Sequence, residues 1–375
     1  MSLATFSLEQ LRQRTGNKWQ RFGPEVIPCW VADMDFPLAE PIRRYLEEAL
    51  EREEFGYPCK GDVPAMAEAF AARMQARFGW QPDPAACIAV GDVVQAIHVV
   101  VECSSSRGDG VVLQTPLYPP FFAAVLDRGR EVIRNPLINN QSGWHVDVDS
   151  LRASITPGTR LLALCNPRNP SGRVFTHAEL RAIADVAVAH DLVVMADEIH
   201  CDLIYPGARH VPFASLGPEV AERTITFNSA TKAFNTAGLR AALVHFGSPQ
   251  LAERFGCIHP RALGGLPCHA ARITTIAWTE CDDWQAEAMD YLRHNRDFVA
   301  RFVAERMPGV RCHVPQATYL AWLDFRGCAL DEDPHAFLLR EARVGLSPGP
   351  EFGDPEGLGN DGGQPPRALL ARAGA

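Results

Sequence analysis

The stretch "SATKAFNTAGLR" (229–240) sets one lysine, Lys232, among small and apolar neighbours, with Ser229 three residues before it and Arg240 eight after. A solvated surface lysine has no need of such company. Directly upstream lies "TITFN" (224–228), a short β-branched run that reads as a buried strand. Lys232 therefore falls just past a strand end, the place where open parallel sheets bind ligands.

Outward from this point the same pattern repeats. Candidate strands are "CIAVG" (87–91), "GVVLQ" (110–114), "LLALCN" (161–166), "LVVMADE" (192–198) and "AALVHFG" (241–247). Helical patterns lie between them, including 92–104 and 176–190, the second opened by Thr176 with Glu179 three residues on, a capping box. Short apolar strands alternating with helices predict an α/β fold with a mostly parallel central sheet flanked by helices. After about residue 282 the texture changes to a long helical pattern (283–306), then "RCHVPQATYLAWLDF" (311–325), read as two strands, then a helix and "VGLSP". This predicts a large domain over 46–282 and a smaller α+β domain made of 1–45 and 283–375. Its last stretch, 353–375, is rich in Gly and Pro and does not read as regular structure.

Several strand ends carry chemistry. One runs into "CNPRNPSG" (165–172), another into "ADEIH" (196–200), a third into "NSATK" (228–232). The strand at 87–91 leads straight into a helix beginning "DVVQ", whose free N–H groups and dipole offer a seat for phosphate. Taken singly, each has a plain explanation: a proline-rich turn, a helix cap, a surface charge, a structural histidine. Their order and spacing carry the argument.

Bulk composition narrows the partners. A chain of 375 residues with 47% hydrophobic and 22% charged residues can bury a sizeable core. A net charge of −9 argues against nucleic acid or an acidic membrane surface. No apolar run approaches about 18 residues, and the first residues lack a signal-peptide pattern. Eleven cysteines without a CxxC pair predict reduced, mostly buried thiols and a cytoplasmic protein. No metal-ligand spacing stands out.

The ordered set resembles the fold-type I enzymes that use pyridoxal 5′-phosphate (PLP), within the class I/II aminotransferase superfamily, from about residue 28 to 353. The resemblance implies roles. Lys232 binds the PLP aldehyde covalently and, once freed, serves as base. Asp197 pairs with the pyridine nitrogen, Asn169 with the ring 3′-oxygen, and Tyr118 lies over the ring face. Ser229, Arg240 and the N–H groups near Val93 and Val94 hold the phosphate, Arg240 bidentately.

Narrower motifs point to one branch. "PCWVADMDFPLAEPI" (28–42), "FGYPCKGD" (55–62), "DEIHCDL" (197–203), "KAFNTAGL" and "ATYLAWLDF" (317–325) look like the MalY/PatB-type cystathionine β-lyases. His200 in "DEIH" is telling, because many relatives carry tyrosine there. The resemblance implies α,β-elimination on L-cystathionine or a related cysteine S-conjugate, giving thiol, pyruvate and ammonia. Tyr118 or Lys232 is the candidate acid for the leaving thiolate. It also implies a homodimer in which Tyr57 crosses to the neighbour's phosphate. Two other readings stay open: an aminotransferase on the same scaffold, and a non-catalytic PLP-fold regulatory binding protein.

Two departures from the pattern matter. Asp92 stands where relatives usually have glycine; its carboxylate is expected to turn aside and cap the helix at 93. After "VGLSPGPEFG" (344–353) relatives continue into a strand containing Arg-Leu-Asn, whose arginine clamps the substrate carboxylate. This chain reads "GLGNDGGQPPRALLARAGA", with Arg367 the nearest arginine in a different context. The expectation is a chain that binds PLP but turns over α-amino acids poorly.

Overall fold

A computed structural model describes residues 3, 5–353 and the backbone of 368–372. At its centre are seven strands: β1 (Cys87–Val90), β2 (Gly110–Thr115), β3 (Glu131–Pro136), β4 (Thr159–Cys165), β5 (Val193–Asp197), β6 (Thr224–Asn228) and β7 (Ala242–Phe246). They lie in the order β1-β7-β6-β5-β4-β2-β3. The β2–β3, β2–β4, β4–β5 and β5–β6 pairs are parallel, whereas β7 runs antiparallel to both β1 and β6. All six strands named from sequence are present. The edge strand β3 was missed because "EVIRNP" alternates polar and half-buried residues instead of forming an apolar run.

The apolar runs are continuous because both sheet faces are covered. Successive side chains point to opposite faces, so Val112, Leu162, Leu164 and Val194 join one core with Phe70, Phe175 and Trp278. Val111, Leu113, Leu161 and Met195 join the other with Ile97, Phe121 and Phe255. Helices α1 (Glu40–Glu51), α2 (Asp62–Phe78), α3 (Val93–Ser104), α4 (His177–Ala189), α5 (Ala270–Glu280) and the 25-residue α6 (Asp282–Arg306) include those that flank the sheet. The Thr176/Glu179 capping box opens α4, with both reciprocal bonds formed.

A third apolar core gathers Val303, Leu323, Phe325 and Leu346, with Cys29 packed against it. There the N-terminal segment meets the far end of the chain: Ile27–Pro28 pairs in parallel with Val344–Gly345.

Three expectations are corrected. Of the two strands read in 311–325, only Leu320–Asp324 forms; Arg311 makes an isolated bridge to Asp324, and the Gln316 and Ala317 N–H groups donate to the Gly172 carbonyl instead. The Gly/Pro-rich tail does contain a strand, Ala368–Arg372, paired antiparallel with Leu320–Asp324 and with Ser347–Pro348. Its run "ALLAR" has no β-branched residue, so the sequence does not announce a strand. Arg367 lies outside the described residues. Finally, Cys103 and Cys257 form a disulfide, with Cα atoms 6.2 Å apart, where reduced thiols were expected. They are 154 residues apart in sequence, so spacing gives no hint of the pairing. Cys165, Cys201 and Cys281 are buried free thiols.

Candidate active site

The reversed direction of β7 explains the spacing of the opening motif. β6 ends at the carboxyl edge of the sheet, and an antiparallel β7 must begin at that same edge; Asn228 lies opposite Leu243 and Val90 opposite Ala242. Residues 229–241 therefore leave and re-enter one rim, and Ser229 Oγ closes the loop by donating to the Ala241 carbonyl at 2.6 Å. Lys232 and Arg240 are brought to the ends of β1, β5 and β6 together.

A cavity of about 310 Å³ opens there. Val93, Val94, Tyr118, Asn169, Asp197, His200, Ser229, Lys232 and Arg240 all line it, with Ala32 and Thr231. Of the residues nominated from sequence, only Tyr57 lies elsewhere. It is fully exposed, beside Tyr45, Cys59, His269 and Arg272.

Each wall has a local cause. Asp197 is the last residue of β5 and is buried; its Oδ1 accepts the Ile199 N–H at 3.1 Å. Burial pushes its carboxyl up to about 7, against the Ile199 hydrogen bond; Glu198 raises it further and Lys232 lowers it. The helix α3 begins next to it, and its first N–H groups, at Val93 and Val94, have no intrahelical acceptor. Asp92 caps this helix as expected, Oδ1 accepting the Gln95 N–H at 2.7 Å. Its other oxygen, Oδ2, pairs with Arg240 Nη2, a contact the sequence did not announce. Arg240 stands in the left-handed backbone region (φ 50°), an uncommon conformation for a side-chain-bearing residue.

The turn "CNPRNPSG" is fixed from within. Arg168, fully buried, donates through Nη2 to the carbonyls of Gln114 and Pro116, tying the Asn169 turn to the loop that carries Tyr118. Gly172 (φ +66°) is where another segment crosses: a Cβ there would lie 2.4 Å from Pro315 Cβ and 2.9 Å from the Ala317 carbonyl. The side-chain oxygen of Asn169 is buried with no hydrogen-bond partner among the described residues.

Beneath the rim, Glu198 accepts the Phe213 N–H at 2.7 Å and pairs with His210 Nε2 at 3.2 Å. His210 in turn lies 3.4 Å from Asn166 Nδ2. This buried chain joins the strand end carrying Asp197 to the turn carrying Asn169.

The "ADMDF" part of the 28–42 motif packs against the lysine loop. Lys232 Nζ donates to the Ala32 carbonyl at 3.1 Å, and Tyr319 Oη donates to the same oxygen at 3.3 Å. Asn235, three residues beyond the lysine, accepts the Met34 N–H at 3.0 Å and donates to the Phe36 carbonyl at 3.1 Å. The far side of this loop is held by Asp35, which takes Lys18 Nζ at 2.5 Å and Trp19 Nε1 at 2.8 Å. Ala32, Tyr319, Asn235, Glu198 and His210 were missed as site residues. Pairs 201 or 287 positions apart leave no trace in local spacing.

Residues 33–358 match the aminotransferase class I and II family, and the chain belongs to that family. The fold is that of the PLP-dependent fold-type I proteins. Over 344 residues the chain is 33% identical to cystathionine beta-lyase PatB of Bacillus subtilis (strain 168), an alignment covering 90% of this chain and 88% of that protein. The crystal structure of OvoB superposes with a TM-score of 0.91 at 34% identity, covering 100% of this chain and 94% of the other. Cystalysin from Treponema denticola, whose structure contains pyridoxal 5′-phosphate, gives 0.89 at 28% identity, covering 100% and 94%.

Proposed function

We propose that the cavity holds PLP and that the chain is a carbon–sulfur lyase acting on L-cystathionine or related cysteine S-conjugates. The observation that carries this reading is the set of groups meeting in one cavity: an amine, a buried carboxyl, an asparagine amide and a helix N-terminus beside an arginine. The donor set fits PLP. Asp197, raised to about 7 by burial, would be ionised by a protonated pyridine nitrogen set beside it. The N–H groups at Val93 and Val94, Ser229 and Arg240 suit a phosphate. When bound, PLP supplies the electron-withdrawing ring that makes the bonds at the substrate Cα breakable.

The chain's own residues do the rest. Lys232 would hold the cofactor, and its free amine would take the proton from the substrate Cα. The Ala32 carbonyl, 3.1 Å from Nζ, keeps that amine at the cavity wall. Asn169 would donate its amide N–H to the ring oxygen and Tyr118 would cover the ring, while His200 lines the same cavity. Breaking Cα–H and Cβ–S releases the thiolate, which takes up a proton. Water then converts the remaining three-carbon fragment to pyruvate and ammonia.

The same reading includes a homodimer, supported by the full exposure of Tyr57 beside exposed Phe55. It assigns 46–282 to the cofactor-holding domain and 1–45 with 283–375 to the smaller one, supported by the separate core around Val303 and the 27–28/344–345 pairing. No helix among the described residues is long and apolar enough to cross a membrane.

The test is to mix purified protein, PLP and L-cystathionine without any keto-acid acceptor. Steady release of pyruvate and thiol is the expected result. Turnover that requires a keto acid and yields no pyruvate would overturn the lyase reading in favour of an aminotransferase.

A further inference from the structure

One carboxylate caps the helix whose first N–H groups suit a phosphate and pairs with the arginine beside it. Asp92 Oδ1 caps α3 through the Gln95 N–H, and Oδ2 pairs with Arg240 Nη2. The Arg240 side chain is 63% exposed and projects from a left-handed backbone position, so packing does little to hold it; the ion pair does. Val93, Val94 and Ser229 line the same cavity. An anion arriving there meets a helix N-terminus and a guanidinium that already share an internal negative charge.

We propose that Asp92 is an internal competitor for the phosphate of PLP, and that this chain holds its cofactor more loosely than the same scaffold without that carboxylate. Binding either opens the Asp92–Arg240 pair or sets the phosphate dianion beside a fixed like charge, and each route weakens the complex. Release is correspondingly faster, because the leaving phosphate is replaced on Arg240 by a carboxylate already in place. The turn does not depend on Asp92 alone. Gly91 N–H donates to Gln95 Oε1 at 2.9 Å, and Gln95 Nε2 donates to the Leu263 carbonyl at 2.6 Å, so removing the charge leaves the loop tied.

The proposal rests on PLP as cofactor and is independent of the lyase chemistry. Apo-protein, stripped of PLP and confirmed folded by circular dichroism, is titrated with PLP while tryptophan fluorescence and visible absorbance are followed. Three chains are compared: wild type, Asp92→Asn, which keeps a helix-capping side chain, and Asp92→Gly. Both variants are expected to bind PLP about tenfold more tightly, ~1.4 kcal/mol, and to release it more slowly into a large excess of competing apo-enzyme. Equal affinity in all three chains would overturn the proposal, showing that the carboxylate swings clear of the phosphate. Weaker binding by Asp92→Asn would also overturn it, making Asp92 a part of the phosphate seat. A wild-type chain that gives neither signal with PLP fails at the cofactor itself, a result distinct from equal affinities.

Discussion

The buried carboxyl of Asp197 makes the cofactor-free protein sensitive to pH in a direction opposite to that of most carboxylates. An ordinary aspartate value of 3.8 is raised to about 7, with burial as the main cause. Below pH 3.8 the group is protonated whether the chain is folded or not, and it costs nothing. Between 3.8 and 7 the unfolded chain has released its proton while the folded chain keeps it, so stability falls as pH rises. Above 7 the folded chain must carry the buried charge. A displacement of about three pH units, at about 1.4 kcal/mol each, amounts to roughly 4 kcal/mol lost between pH 4 and pH 8. Asp197→Asn keeps the shape and removes the titration. Urea midpoints of the apo forms at pH 4, 5, 6, 7 and 8 therefore converge toward low pH and separate toward high pH, wild type becoming the less stable. Adding PLP reverses the order at pH 8, because a cation beside Asp197 favours its ionised form. Parallel pH profiles for apo wild type and apo Asp197→Asn would refute the reasoning.

Lys232→Ala removes both the covalent anchor and the base, so pyruvate release should fall by roughly 10²–10⁴-fold or more, with loss of the visible absorbance of lysine-bound PLP. Asn235→Gly tolerates the left-handed backbone (φ 56°) yet deletes both bonds to the 34–36 loop, leaving a buried N–H and C=O unsatisfied. A loss of about 2–4 kcal/mol in urea unfolding is expected, and a change within 0.5 kcal/mol would remove Asn235 as the loop's clamp. Because the sequence after Gly353 lacks Arg-Leu-Asn, steady-state kinetics with L-cystathionine should give a kcat/KM below the usual range of about 10⁴–10⁸ M⁻¹s⁻¹. A value well inside that range would show that carboxylate binding does not need that segment.

The parts of the fold legible in sequence were those whose signal is local. β4, β5 and β6 are buried on both faces, so their apolar runs announce them; β3, half-exposed at the edge, does not. The residues lining the cavity were legible because strand ends must carry the ligand-binding groups, and polar residues after an apolar run are conspicuous. What stayed hidden were contacts between distant segments. The Ala32 carbonyl has no side chain to betray it, and Asn235 looks like any loop asparagine until Met34 and Phe36 are seen against it. The Asp92–Arg240 pair combines both cases. Its capping half follows from local sequence, and its ionic half needs the antiparallel turn of β7.

The long reach of the 28–36 segment bears on how the protein is made. A chain built from its N-terminus completes residues 32–36 some two hundred residues before Asn235 exists to clamp them. The strand partner of Ile27–Pro28, at 344–345, arrives later still. Throughout that interval Met34 and Phe36, nearly fully buried in the finished protein, face water and neighbouring chains. The sheet is complete in sequence by Phe246, about a hundred residues before that last pairing can form. Assembly in that order finishes the sheet before the N-terminal segment can be pinned at 27–28.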